Sequence, residues 1–127
     1  MLDTDTVSFA LRGHGEVART ILQASPSHLC MSAVTLAELR FGAEAKGSRK
    51  LHKLIDAFSG GVPAVPFDAN AAGRFGPVAA TLSRAGRPIG VVDTLIAAHA
   101  LALGLTLVTN NTQHFKRVAG LKVENWV

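Results

Sequence analysis

The segment GRPIGVVDTLIAAHALALGLTLVTNN, residues 86–111, joins two periodicities across a single glycine. Its first half carries Leu95, Ile96, Ala98, His99 and Leu103 at helical spacing and predicts a helix that opens near Asp93 and closes at Gly104, since glycine takes the left-handed turn that ends helices. Its second half, Leu105-Thr106-Leu107-Val108-Thr109, is an apolar, β-branched run too short for a helix and reads as a buried strand. A helix feeding directly into a buried strand is the unit of a parallel sheet covered by helices on both faces. The rest of the chain repeats that unit.

Met1-Leu2 reads as the stump of a first strand, after which Thr4 or Asp5 could cap a helix carrying Val7, Phe9, Ala10 and Leu11 and ended by Gly13. A second helix is expected over 16–24. Past Ser25-Pro26, the run Leu29, Cys30, Met31 reads as a short buried strand, with Ser32 capping a helix through Leu36, Leu39 and Ala43 to Gly47. A further helix over 48–58 repeats Leu51, Leu54, Ile55 and Phe58 and is stopped by Gly60-Gly61. Val62 to Phe67 is strand-like, and its two prolines predict an edge. Asp68 then caps a long Ala-rich helix, broken or bent at Pro77, and a last short strand is expected over 121–123.

The whole chain has 127 residues, 48% of them hydrophobic and 17% charged, enough for one core and too apolar for disorder. No apolar run reaches the eighteen or so residues of a membrane span, and MLDTD lacks the basic start of a signal peptide, so a cytoplasmic protein with no membrane partner is expected. One cysteine, Cys30, allows no internal disulfide and no Cys-rich zinc site. Any metal is left to oxygen ligands. No phosphate-binding GxxxxGK[ST] loop occurs, and Ser32 and Thr35 have no His and Asp partners in register for a hydrolytic triad. His14, His28, His52 and His114 lack ligand spacing, His99 reads as a core histidine, and Trp126 reads as a packing residue.

Open parallel sheets bind ligands beyond the carboxyl ends of their strands. There the pattern puts Asp3 and Asp5 after the first strand, Glu38 within two turns of the second, Asn110-Asn111 after Thr109, and Asp93 at a helix start on the same edge. Three carboxylates converging in a crevice repel one another unless a divalent cation neutralises them, and an oxygen-only set suits Mg²⁺ or Mn²⁺. Each acid also has a local reading. Asp3, Asp5 or Asp93 can cap a helix, and Thr35-x-x-Glu38 fits a capping box.

The blocks Leu-Asp-Thr-Asp-Thr (2–6), Ser-Ala-Val-Thr-Leu-Ala-Glu-Leu-Arg-Phe-Gly-Ala-Glu (32–44), Gly-Arg-Pro-Ile-Gly-Val-Val-Asp-Thr-Leu-Ile-Ala-Ala-His-Ala (86–100), Val-Thr-Asn-Asn-Thr-Gln-His-Phe (108–115) and the ending Val-Glu-Asn-Trp resemble the PIN-domain family, specifically the VapC toxins of bacterial toxin-antitoxin modules. They occur in that family's order and spacing over essentially the whole chain. The resemblance implies a single PIN domain over 1–127, with a three-layer α/β/α fold whose small parallel sheet has four to five strands. It implies a Mg²⁺- or Mn²⁺-dependent endoribonuclease with Asp3, Glu38 and Asp93 as metal ligands and catalytic acids. Water activated by the metal would attack an RNA phosphodiester, possibly of tRNA, in line and leave 5′-phosphate and 3′-hydroxyl ends. Asp5, Thr109 and Asn111 are the implied supporting residues, Asn111 standing where the family often has Asp. Partners implied are a VapB-type antitoxin, the RNA and a second copy of the chain. The family carries several more apolar residues before its first Asp, so the first strand is expected to be short.

Two rivals share these residues. Asp3-Thr4-Asp5-Thr6-Val7 also fits the opening motif of haloacid-dehalogenase-type phosphatases, with Asp3 as nucleophile. A non-catalytic basic RNA-binding module would use the acids only as caps. The charge favours a polyanionic partner: the net charge is +4, and once three of the nine acids are set in a crevice, six face thirteen Lys and Arg. Lys46, Arg49, Lys50, Lys53, Arg84 and Arg87 are the candidate phosphate contacts.

Overall fold

The computed structural model describes residues 1–24 and 26–127, Ser25 lying outside the described residues. Its elements follow the order α1 (Thr4–Leu11), α2 (Gly15–Gln23), β1 (Met31–Ser32), α3 (Ala33–Ala45), α4 (Arg49–Gly61), β2 (Ala64–Val65), α5 (Ala69–Arg84), α6 (Val91–Leu103), β3 (Leu107–Val108), α7 (Thr112–Phe115) and β4 (Val123–Glu124). β1 pairs with β2 and β3 with β4, all in parallel. Leu2 joins the two pairs, bridging Met31 on one side and Val108 on the other. Leu2 N donates to Cys30 O and Asp3 N to Val108 O, both at 2.8 Å. The sheet therefore runs β2, β1, Leu2, β3, β4.

Alternation along these short strands divides the core between two faces. Met1 and Leu107 pack with Leu82, Ile96, Ala100 and Phe115 on one side. Leu2, Met31 and Val108 pack with Val7, Leu39, Ala43 and Ile55 on the other. So α5, α6 and α7 cover one face and α1, α3 and α4 the other, the three layers expected. From the central Leu2 the chain builds β1 and β2 to one side and β3 and β4 to the other. That reversal is the switch point at which a parallel sheet opens its crevice, and Asp3 is the first residue beyond it.

Several boundaries differ from expectation. The strands are two residues each rather than three to six, because the ladder forms only where both neighbours are in register; Pro63 and Pro66, which have no N–H, fence β2 at its edge position. α4 continues through both glycines to Gly61. α6 opens at Val91 rather than near Asp93, because Gly90 at φ 94° turns the chain into the helix two residues earlier. α5 is a single helix with Pro77 inside it. Pro77 and Gly73, whose carbonyl Pro77 cannot bond, are both exposed, so that carbonyl is open to solvent rather than buried without a donor. No helix among the described residues is long and apolar enough to cross a membrane.

Candidate active site

Asp3 is the N-cap residue of α1 by position, but its side chain makes no capping bond, and neither Thr4 nor Asp5 takes that place. Its carboxylate is 4% exposed and faces the crevice residues instead. The Thr109 hydroxyl donates to Asp3 Oδ2 at 2.7 Å, and among the described residues Asp3 Oδ1 has no hydrogen-bond partner. A buried anionic oxygen without a donor is costly unless a cation or proton reaches it. Burial and then the neighbouring Asp5 push the Asp3 carboxyl up to about 7, with Asp93 adding a smaller push.

Asp5 sits two residues beyond Asp3, on α1, and is held by the backbone N–H of Asn110, at 3.1 Å from Oδ2. Thr109 is the hinge of the arrangement: besides bonding Asp3, its Oγ1 accepts from Asn111 N at 3.0 Å. Asp93 lies inside the first turn of α6, so it does not cap that helix; Gly90 stands at the N-cap. Burial also raises the Asp93 carboxyl, against the lowering influence of His114, whose Nδ1 lies 3.7 Å from Asp93 Oδ2.

Glu38 is placed differently. α3 is capped by Ser32, whose Oγ accepts from Val34 N at 3.1 Å, so Thr35 lies inside the helix and no Thr35/Glu38 capping box forms. The Glu38 carboxylate instead accepts from the Thr4 hydroxyl, and Thr4 Oγ1 also bonds Thr35 Oγ1 at 3.2 Å. Glu38 thus reaches α1 at the residue beside Asp3. As they stand, no three His, Cys, Asp or Glu side chains among the described residues form a ready metal group. Asp3, Asp5 and Asp93 act on one another electrostatically, whereas Glu38 is engaged by Thr4. The unpartnered Asp3 oxygen and the all-carboxylate donor set fit a hard divalent cation.

Asn111 is beside the acids and its Nδ2 lies 2.9 Å from His114 Nδ1. Sequence reasoning gave His114 no chemistry; the Asn111-x-x-His114 spacing places both on one side of α7, a signal usable only once that four-residue helix is known. Thr4 was considered only as a cap. Arg12 was also missed: it lines, with Thr4, Glu38 and Lys46, a cleft of about 280 Å³ between α1, α3 and α4. Lys46, Arg49, Lys50, Lys53, Arg84 and Arg87 are all exposed, four at the α3–α4 corner and two around the end of α5. His99 is buried, with Nδ1 2.8 Å from Ser32 Oγ. Burial lowers its pKa, and the ring is the core histidine expected, tying α6 to the α3 cap.

The family model described as PIN domain matches residues 1–121. The tRNA(fMet)-specific endonuclease VapC of Shigella flexneri is 39% identical over 127 residues, covering 99% of this chain and 96% of that protein. Among solved structures, VapBC2 from Rickettsia felis, bound to a DNA fragment from its promoter, superposes with a TM-score of 0.90 at 32% identity, covering 100% of this chain and 98% of that one. DNA-bound VapBC from Salmonella typhimurium gives 0.90 at 35%, covering 100% and 97%. These full-length matches set aside the dehalogenase-type reading of Asp3-x-Asp5. The chain belongs to the PIN-domain family, in its VapC branch.

Proposed function

We propose that the chain is the toxin of a VapBC-type pair, an endoribonuclease whose Asp3, Glu38 and Asp93 hold Mg²⁺ or Mn²⁺ against an RNA phosphodiester. The observation that carries this reading is the buried, unpartnered Oδ1 of Asp3, set among carboxylates that raise one another's proton affinity. Such a group is stable when a cation takes the place of the missing donors. When bound, a divalent cation supplies an acidified water and positive charge for the developing phosphorane-like charge. Thr109 fixes one oxygen of Asp3 and leaves the other free. The Asn110 N–H anchors the Asp5 side chain beside the site, where Asp5 raises the proton affinity of Asp3. The Thr4 hydroxyl holds Glu38 next to Asp3.

Relatives named as VapC ribonucleases and a tRNA endonuclease support RNA as substrate, with tRNA as its class. The solved VapBC assemblies support a VapB-type antitoxin as partner. Exposed Phe41 and Val91, 75% and 68% accessible, offer apolar contact surface for that partner or for a second copy of the chain. The exposed Lys46, Arg49, Lys50, Lys53, Arg84 and Arg87 are proposed phosphate contacts. The test is cleavage of purified tRNA by the isolated chain with Mg²⁺, with Mn²⁺ and with excess chelator. Cleavage that leaves 5′-phosphate ends and stops on chelation is expected; undiminished cleavage in chelator would remove the metal from the reading.

A further inference from the structure

Away from the acidic crevice, a second cleft of about 280 Å³ opens between α5, the end of α6 and the chain that follows α7. Its floor is apolar, with Val78, Leu82 and Leu101, and its polar lining includes Arg74, Thr81 and Arg117. No Asp or Glu lines it. Neither arginine forms an ion pair among the described residues. Arg74 is exposed and makes no hydrogen bond there. Arg117 has one long bond, Nη1 to Pro88 O at 3.4 Å, and its Nε is buried without a partner. Two guanidiniums left unpaired in one cleft, with a hydroxyl beside them and no carboxylate, make a locus for a tetrahedral oxyanion, whose oxygens match the guanidinium fork.

The cleft is also connected to the acids. Arg117 N bonds His114 O at 3.2 Å, and His114 faces Asp93, so the short α7 turn spans the distance between crevice and cleft. On its other side Arg117 touches the loop that carries Arg87. Arg117 and Arg74 therefore lie on the α5–α6–α7 side of the sheet, reached from the crevice past α7, whereas the Lys46 to Lys53 group sits on the opposite helical layer.

We propose that this cleft is a second phosphate site for the substrate RNA: a backbone phosphate away from the scissile bond lies between Arg74 and Arg117, with the adjoining nucleotide over the apolar floor. The proposal rests on the endoribonuclease reading for the identity of its ligand. Its test has two parts. Inorganic phosphate is titrated into the wild-type chain while the Nε–Hε resonances of Arg74 and Arg117 are followed by NMR. Binding of a full-length tRNA is then measured in chelator, over a range of salt, for wild type, Arg74→Gln and Arg117→Lys, beside Mg²⁺-supported cleavage of a dinucleoside monophosphate, whose single phosphate is the scissile one. Saturable movement of both resonances is expected. Arg74→Gln should weaken tRNA binding about ten-fold and reduce the salt slope by about one, with cleavage of the dinucleoside monophosphate unchanged. Since Arg74 is exposed and unpartnered, its replacement leaves the fold intact even if Arg117→Lys does not. Resonances that ignore phosphate would overturn the site. Movement with phosphate but wild-type tRNA affinity and slope in Arg74→Gln would overturn RNA as its occupant. Failure of the chain to cleave any RNA would count against the endoribonuclease reading alone, because binding in chelator still decides the cleft.

Discussion

Two charge clusters in this molecule are built on opposite plans. At the α3–α4 corner, Arg40 bonds Asp56 and sets Nη1 3.0 Å from His52 Nδ1, while His52 Nε2 lies 3.2 Å from Glu44: basic and acidic groups are mixed, each has a partner, and the two carboxylates are exposed. In the crevice, Asp3, Asp5 and Asp93 gather carboxyl groups alone, and one oxygen of the most buried, Asp3, lacks a partner. The first arrangement ties two helices together at little desolvation. The second gathers carboxyl groups under burial, a cost to folding that a bound cation would offset under the proposed function.

The largest effect that would break this contrast is on activity. Asp93→Asn keeps the size and hydrogen-bonding capacity of the side chain but removes a charge from the crevice. Cleavage of tRNA with Mg²⁺ should fall by about two to three orders of magnitude, as when a group stabilising developing charge is lost. A wild-type rate in Asp93→Asn would mean that the acidic cluster is not where RNA is cut.

The next effect separates strain from catalysis. The Asp3 carboxyl titrates at about 7 in the folded chain against its ordinary 3.8, so the folded state holds a proton that the unfolded state has released between those values. Stability of the metal-free chain should therefore decline as pH rises from about 4 to 7, with the deficit fully present above 7 and on the order of a few kcal/mol. Asp3→Asn should remove most of that slope and raise the metal-free melting temperature at pH 8, while abolishing activity. Thermal melts in chelator at pH 5 and pH 8 measure it. A melting temperature lowered by Asp3→Asn at pH 8 would show that the cluster is structural after all. Mg²⁺ should raise the wild-type melting temperature at pH 8 and leave Asp3→Asn nearly unmoved.

Thr109→Val is a finer probe, since it keeps the β-branched shape at the strand end and deletes the hydroxyl that fixes Asp3 and receives Asn111 N–H. Loss of such an outer partner should weaken metal affinity by about 10- to 100-fold. Activity should return at high Mn²⁺, which a change of fold would not allow.

How far these features could be read from the sequence follows the range of the interactions involved. The α6–β3 unit was legible because helical and strand patterns meet at Gly104, and the order of layers followed from repeating it. Asp3, Asp5, Asp93 and Asn111 were placed near one edge because each adjoins a strand end or a helix start, positions that topology fixes. The two-residue lengths of the strands were not legible, because apolar runs such as 105–109 continue past the residues that find a partner. Nor was the Glu38 bond to Thr4, which depends on how α1 and α3 lean together across 34 residues. His114 and Arg117 were invisible for a related reason: α7 is a single turn, too short to show a period.

The smallest effect tests the other half of the comparison. Arg40→Ala removes the centre of the α3–α4 network, yet Asp56 and Glu44 are mostly exposed, with 64% and 78% of their side chains accessible. Water replaces the lost partners readily, and exposed ion pairs are worth about 0–1 kcal/mol. Chemical unfolding should therefore show a loss within about 1 kcal/mol, smaller at high salt, and tRNA cleavage should stay within a few-fold of wild type. The contrast would fail if Arg40→Ala cut activity as Asp93→Asn does. In that case the α3–α4 pairing would be holding Glu38 against the crevice, and the satisfied cluster would belong to the same functional unit as the unsatisfied one.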